Sequence, residues 1–122
     1  MHPATFADDE ILLARVVPYL VSLLSDPAAL VRARSLRALT AVTARVRSLP
    51  VGEANLFPEY IFPAIERLPI DPEEVVRLAH AQCIARLAQN SKRFLEMAQF
   101  QLHRTLRAQQ LQQQQQQQLA RV

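Results

Sequence analysis

The sequence predicts an all-α chain of helical hairpins stacked side by side, an α-solenoid. Three observations predict it. Pro18, Leu20, Leu23, Asp26, Pro27, Val31 and Arg32 return 45 residues later as Pro63, Ile65, Leu68, Asp71, Pro72, Val76 and Arg77. Apolar residues recur at helical spacing on both sides of each Asp-Pro pair. No stretch of useful length alternates apolar and polar residues as a half-buried strand does. A period in the low-to-mid forties, with two helices per unit, is the mark of stacked hairpins, which hold other proteins far more often than they catalyse.

The elements follow in order. Residues 8–25 predict a first helix: Asp8, Asp9 and Glu10 suit the positive end of the helix dipole, and Ile11, Leu12, Val16, Tyr19, Leu20, Leu23 and Leu24 follow near helical spacing. Pro18 lies inside that pattern and predicts a kink; its return as Pro63 makes the kink part of the repeat. Asp26-Pro27 predicts a helix start, Asp as N-cap and Pro at the first helical position, with a second helix over about 27–47. Leu49-Pro50-Val51-Gly52 ends it, with the only glycine of the chain. A third helix over about 55–68 buries Phe57, Ile61, Ile65 and Leu68. Asp71 and Glu74 have capping-box spacing and open a fourth helix over about 72–89, carrying Val75, Val76, Ala79, Cys83, Ile84 and Leu87. Ser91 is placed as the cap of a further helix from about 92. Leu39 and Ile84 are expected in the core.

The chain therefore divides into a repeat segment, 1–100 (repeats about 8–47 and 55–89), and a Gln-rich low-complexity tail, 101–122. Seven consecutive glutamines fill 112–118. Such a tract has nothing to bury and predicts disorder or a frayed helical extension. A solenoid needs about three or more repeats to bury a continuous core. Two repeats and a remnant imply a piece of a longer solenoid, or a chain that leans on a partner.

The net charge of +3 is misleading. Residues 1–96 hold eleven Arg or Lys and eleven Asp or Glu, so the excess comes from Arg104, Arg107 and Arg121. The repeat segment is neutral, and the basic balance is weak support for nucleic-acid binding. Cys83 is the only cysteine, which excludes a disulfide within the chain. No apolar run reaches the roughly 18 residues that would predict a membrane span.

Little in the sequence supports chemistry. His80 and Cys83 lie three apart on one helix, but two ligands do not make a zinc site, and no pair elsewhere has metal spacing. A single glycine rules out a glycine-rich phosphate loop, and Lys92 is the only lysine. The carboxylate pairs Asp8/Asp9 and Glu73/Glu74 sit at helix starts, where the dipole accounts for them. No cofactor or metal is expected. Arg34, Arg37 and Arg45 form a ridge on the second helix. It is read as a solvated face or as a surface for a protein partner, and in a minor alternative for acidic lipid or nucleic acid. Arg32 and Arg77 follow their Asp-Pro turns at equal intervals. They are expected to bond Asp or backbone carbonyls at the turns and to link neighbouring repeats.

The Asp-Pro-x3-Val-Arg pattern resembles HEAT repeats. The longer strings, residues 10–42, 57–65 (FPEYIFPAI) and 75–99, resemble the HEAT region of the regulatory subunit of class III phosphatidylinositol 3-kinase, the vacuolar-protein-sorting, protein-kinase-like subunit. The similarity spans roughly residues 8–100. Pro-Glu-Tyr-Ile-x-Pro at 58–63 and Arg-Phe-Leu-Glu at 93–96 are its more distinctive parts. In that family an N-terminal kinase-like domain, a central HEAT solenoid and a C-terminal WD40 propeller bind the lipid kinase catalytic subunit and a Beclin-type subunit. The resemblance covers the middle part only. It therefore implies a non-catalytic scaffold acting in autophagy and endosomal or vacuolar sorting. It also implies a cytoplasmic location, peripheral to endosomal and autophagic membranes through the complex, and no direct nucleic-acid contact. Position 2 is His, where the family's lipidated glycine would stand. A HEAT adaptor of another assembly, such as nuclear transport, is the alternative.

Overall fold

A computed structural model describes residues 6–49 and 52–121, with side chains from Asp8 onward. Among the described residues every regular element is helical.

The first helix, α1, covers residues 6–23. It joins an α segment Phe6–Ile11, a π segment Leu12–Val16 and an α segment Val17–Leu23. Pro18 explains the middle one. Proline lacks an N–H, and its ring crowds the carbonyl four residues back, here that of Ala14. The turn before it widens instead, and the Val17 N–H donates to the Leu12 carbonyl, a five-residue span. The third helix, α3, repeats this device: a π segment Leu56–Ile61 runs into an α segment Phe62–Ile65 that contains Pro63, and the Phe62 N–H donates to the Phe57 carbonyl. The kink expected at both prolines takes the form of a π turn. The α part of α3 ends earlier than expected, and a 3-10 turn, Leu68–Ile70, follows it.

The second helix, α2, is Ala29–Arg45, and the fourth, α4, is Glu74–Ala120. Both begin two residues later than the Asp-Pro pairs suggest. Asp26 Oδ2 accepts the Ala28 N–H at 2.9 Å, and Asp71 Oδ1 accepts the Glu73 N–H at 3.0 Å. Ala28 and Glu73, both extended, are the N-caps, and neither helix has a side-chain cap. Each aspartate thus holds the turn before its helix rather than capping it. The capping box expected between Asp71 and Glu74 is not made.

No break occurs near Ser91, and the further helix expected from about 92 is the continuation of α4. The reason lies in the sequence. After Pro72 the chain contains neither proline nor glycine, and Ala, Leu, Gln and Arg are strong helix formers. The glutamine tract continues the same helix, its side chains exposed, instead of the disorder weighed above.

Two antiparallel hairpins result. The start of α1 meets the end of α2, where Asp9 Oδ2 accepts the Arg47 and Ser48 N–H groups and the Ser48 hydroxyl at 2.9–3.1 Å. Asp9 is 1% exposed, and its other oxygen has no partner among the described residues. The hairpins stack through α2 and α4, which run in the same direction. Contacts advance together along both: Arg37 with Gln82, Thr43 with Asn90, Ala44 with Arg93. One core fills the space between, with Leu36, Leu39, Val46, Ile61, Val76 and Leu87 shut off from solvent. The Phe57 ring meets Phe94 edge to face at 4.9 Å. Ile84, expected in the core, is 38% exposed. Helical spacing puts it about a quarter of a turn away from the stripe of Val76, Cys83 and Leu87. Pro50 and Val51 of the expected loop lie outside the described residues, as do Met1 to Pro3. Gly52 has φ +95°, a conformation side-chain-bearing residues rarely adopt, although nothing lies within 4 Å of where a Cβ would stand.

Leu39→Ala should lower stability by about 2–5 kcal/mol through the cavity it leaves. Ile84→Ala should cost about 1 kcal/mol or less, because much of that side chain already meets water. Denaturant titration of both variants checks the two faces of α4 and α2 against each other.

Candidate functional site

Two groups of residues stand out from the fold: the Asp-Pro turns and the arginines along α2 and α4.

At the turns the repeat is reproduced atom by atom. Arg32 Nη1 donates to the Asp26 carbonyl at 2.8 Å and to the Pro27 carbonyl at 3.0 Å. Arg77 Nη1 donates to the Asp71 carbonyl at 2.6 Å. The remaining donors of Arg32 cross to the second hairpin. Nε reaches Asp71 Oδ2 at 3.0 Å and Nη2 reaches Oδ1 at 2.9 Å, a two-pronged ion pair with side chains only 13% and 9% exposed. One guanidinium therefore ties its own turn to the next. The Arg32 bond holds the Asp71 carboxyl below the usual carboxylate range, against the opposing effect of burial; the Glu73 N–H adds to the lowering. The same bond raises Arg32. Arg77 makes no such pair among the described residues. Val31 and Val76 differ for a related reason. Val76 is fully buried because the first hairpin covers it, whereas Val31 faces the open end of the stack and is half-buried.

Pro18, Pro63, Pro27 and Pro72 thus sit at the π turns and the hairpin bends, and the Asp-Arg residues gather between the two bends. Arg34, Arg37 and Arg45 do not join them. All three are exposed on α2, and Arg37 Nη2 donates to Gln82 Oε1 at 2.6 Å.

Sequence reading missed three contacts. Asn90 is 4% exposed and donates to the Thr40 carbonyl and Thr43 Oγ1 at 3.0 and 2.9 Å, so it faces α2 where a helix end was expected. Its signal was spacing: Asn90 continues the stripe of Val76, Ala79, Cys83 and Leu87. Arg93 donates to the Ala44 and Val46 carbonyls, satisfying the exposed end of α2. Asp9 does the equivalent work for the N–H groups that follow. Neither long-range bond has a local signal.

His80 is half-buried and Cys83 is buried, unpaired. Among the described residues no three His, Cys, Asp or Glu side chains gather as a metal site would require. No helix described is long and apolar enough to cross a membrane.

Residues 1–121 match the family described as PIK3R4-like, middle domain. The chain belongs to this PIK3R4-like middle-domain family. It is 47% identical over 90 residues to serine/threonine-protein kinase VPS15 of Arabidopsis thaliana, covering 74% of the chain and 6% of the relative. It is 39% identical over 98 residues to the probable serine/threonine-protein kinase vps15 of Dictyostelium discoideum, covering 79% and 5%. With VPS15 of Saccharomyces cerevisiae the identity is 36% over 96 residues, covering 76% and 7%. The chain thus spans well under a tenth of the length of these relatives. The part it matches is the family's middle domain and not a kinase domain.

Asp71→Asn should remove a pH-dependent part of stability. Because the folded-state carboxyl is lowered, its contribution is fully present above the ordinary value of 3.8 and is lost as pH falls through the lower folded-state value. Denaturant midpoints at neutral pH and near pH 3 should differ more for the natural chain than for Asp71→Asn. Arg37→Glu, which gives up one exposed hydrogen bond, should change stability by about 1 kcal/mol or less.

Proposed function

We propose that the chain serves as a non-catalytic scaffold segment of the regulatory subunit of a class III phosphatidylinositol 3-kinase complex, acting in autophagy and endosomal or vacuolar sorting. The observation that carries this reading is the match of residues 1–121 to the PIK3R4-like middle domain. The geometry supports it. Two hairpins locked through their turns make a rigid rack, and the ordered side chains serve packing rather than a reacting centre. In this reading residues 1–100 are a HEAT-type segment of about two repeats and further helix, and residues 101–122 are a Gln-rich low-complexity tail. The partners are the lipid kinase catalytic subunit and a Beclin-type subunit. Contact with endosomal or autophagic membranes is then indirect, through the assembled complex, from a cytoplasmic position. Pro18, Asp26, Pro27, Val31, Arg32, Pro63, Asp71, Pro72, Val76 and Arg77 hold the scaffold, and Arg34, Arg37 and Arg45 lie on the surface offered to partners.

The test is affinity purification of the tagged full chain from cells, probed for the lipid kinase catalytic subunit and the Beclin-type subunit. Co-purification of either is the expected result. Retention of a different assembly, such as nuclear transport receptors, with neither subunit present, would overturn the reading.

A further inference from the structure

We propose that the seam between α2 and α4 is a docking groove for an acidic, amphipathic peptide segment of a partner protein. The first observation is charge segregation. Residues 27–52 contain five arginines and no Asp or Glu, and after Glu74 the only carboxylate side chain is Glu96. The other acids of the chain lie on α1, on α3, in the turns and, as Glu74, at the first residue of α4. Apart from Arg32, which pairs with Asp71, the arginines of the two stacked helices therefore have few carboxylates beside them in the sequence.

The second observation is shape. Two hollows lie along one line of this seam. One, of about 370 Å³, is lined by Arg37 and Thr40 of α2 and by Gln82, Cys83 and Arg86 of α4. The other, of about 570 Å³, lies where the chain leaves α2, between Arg47 and Arg104, with Glu96 at its side. Gln82 and Arg86 of the smaller hollow and Arg93, Phe100 and Arg104 of the larger follow helical spacing along one edge of α4, so the two hollows follow one another on the same edge. Arg93 lines the larger hollow, pinned by its bonds to the end of α2.

The third observation is the kind of side chain. The cations are all arginines, whose planar forks match carboxylates two-pronged. The chain already uses this pairing between Arg32 and Asp71. Met97 lines the larger hollow beside Phe100, which is 63% exposed, and together they offer an apolar anchor among the charges. A single exposed aromatic gives no stacking track for single-stranded RNA. The apolar surface on this edge is equally small for insertion into a membrane. A peptide with carboxylates spaced about an apolar residue fits both features.

This inference names a partner class for the scaffold role and rests on that role only in supposing that a partner exists. The test is fluorescence anisotropy of a labelled peptide of Glu-Glu-Leu repeats titrated with the full chain. Gln-Gln-Leu repeats, phosphatidylserine-containing vesicles and polyuridylate serve as comparisons. Saturable binding of the acidic peptide is expected, weakened by salt. The Arg37→Glu, Arg86→Glu pair should weaken it about tenfold or more. Arg67→Glu, in the turn after α3, should leave it within about twofold. Arg104→Glu lies on a part of α4 that is free of core contacts, and keeps the question answerable if the pair disturbs folding, as circular dichroism would reveal. Equal losses from Arg67→Glu and the seam variants, no binding, or tighter binding to vesicles or polyuridylate than to the peptide would overturn the proposal. Peptide binding at the seam by a chain that retains neither kinase subunit would leave the groove standing and overturn the assembly reading. Kinase retention without peptide binding would do the reverse.

Discussion

The structure depends on one guanidinium. Arg32 holds the carbonyls of its own Asp-Pro turn with one nitrogen and the carboxylate of the next turn with the other two. Packing alone would let two greasy helices slide or rotate against each other, because apolar contact has little direction. A two-pronged pair between turns fixes which residue of α2 faces which residue of α4. Net energy is a poor reason to keep such a pair, since desolvation offsets much of the attraction. Register is the better reason. Every other contact between the hairpins, from Arg37–Gln82 to Arg93 on the end of α2, follows from the alignment set there.

The repeat is more exact in its backbone than in its side chains. Both prolines force a π turn, both aspartates hold the residue two positions on, and both arginines reach back to the Asp carbonyl. The differences arise from position in the stack. Ile84 stands 45 residues after Leu39, yet Leu39 is sealed under α4 and Ile84 meets solvent. Arg77 likewise has the reach of Arg32 without an aspartate opposite it among the described residues. The second hairpin is thus covered on one side only.

Much of this was legible in the residues. The 45-residue spacing located the hairpins, the bends and the Asp-Arg link, because proline and aspartate act locally and leave local marks. The buried face of α3 and the burial of Leu39 followed from periodicity, whereas the core face of α2 is centred on Leu36, Leu39 and Thr43 and leaves Val31, Ala38 and Val42 half-buried at its edge. The extent of α4 was misjudged because Ser91 looked like a cap, while the stronger signal was the absence of proline and glycine after Pro72. Asn90 and Asp9 were hidden for a different reason. Their partners lie about 40 to 50 residues away, and a lone polar residue carries no hint of which distant carbonyl or N–H it will meet. The groove along α2 and α4 was only partly visible: Arg37 stood out on α2, but Arg86 and Arg104 line the same seam only once the helices are aligned.

A double-mutant cycle between Arg32→Ala and Asp71→Ala, read by denaturant unfolding, tests the central claim most directly. The account predicts strong coupling: the double variant should lose clearly less stability than the two single losses combined, because each single change already breaks the same link. Additive losses would contradict it. They would mean that the two turns are held independently and that the stacking register is set elsewhere.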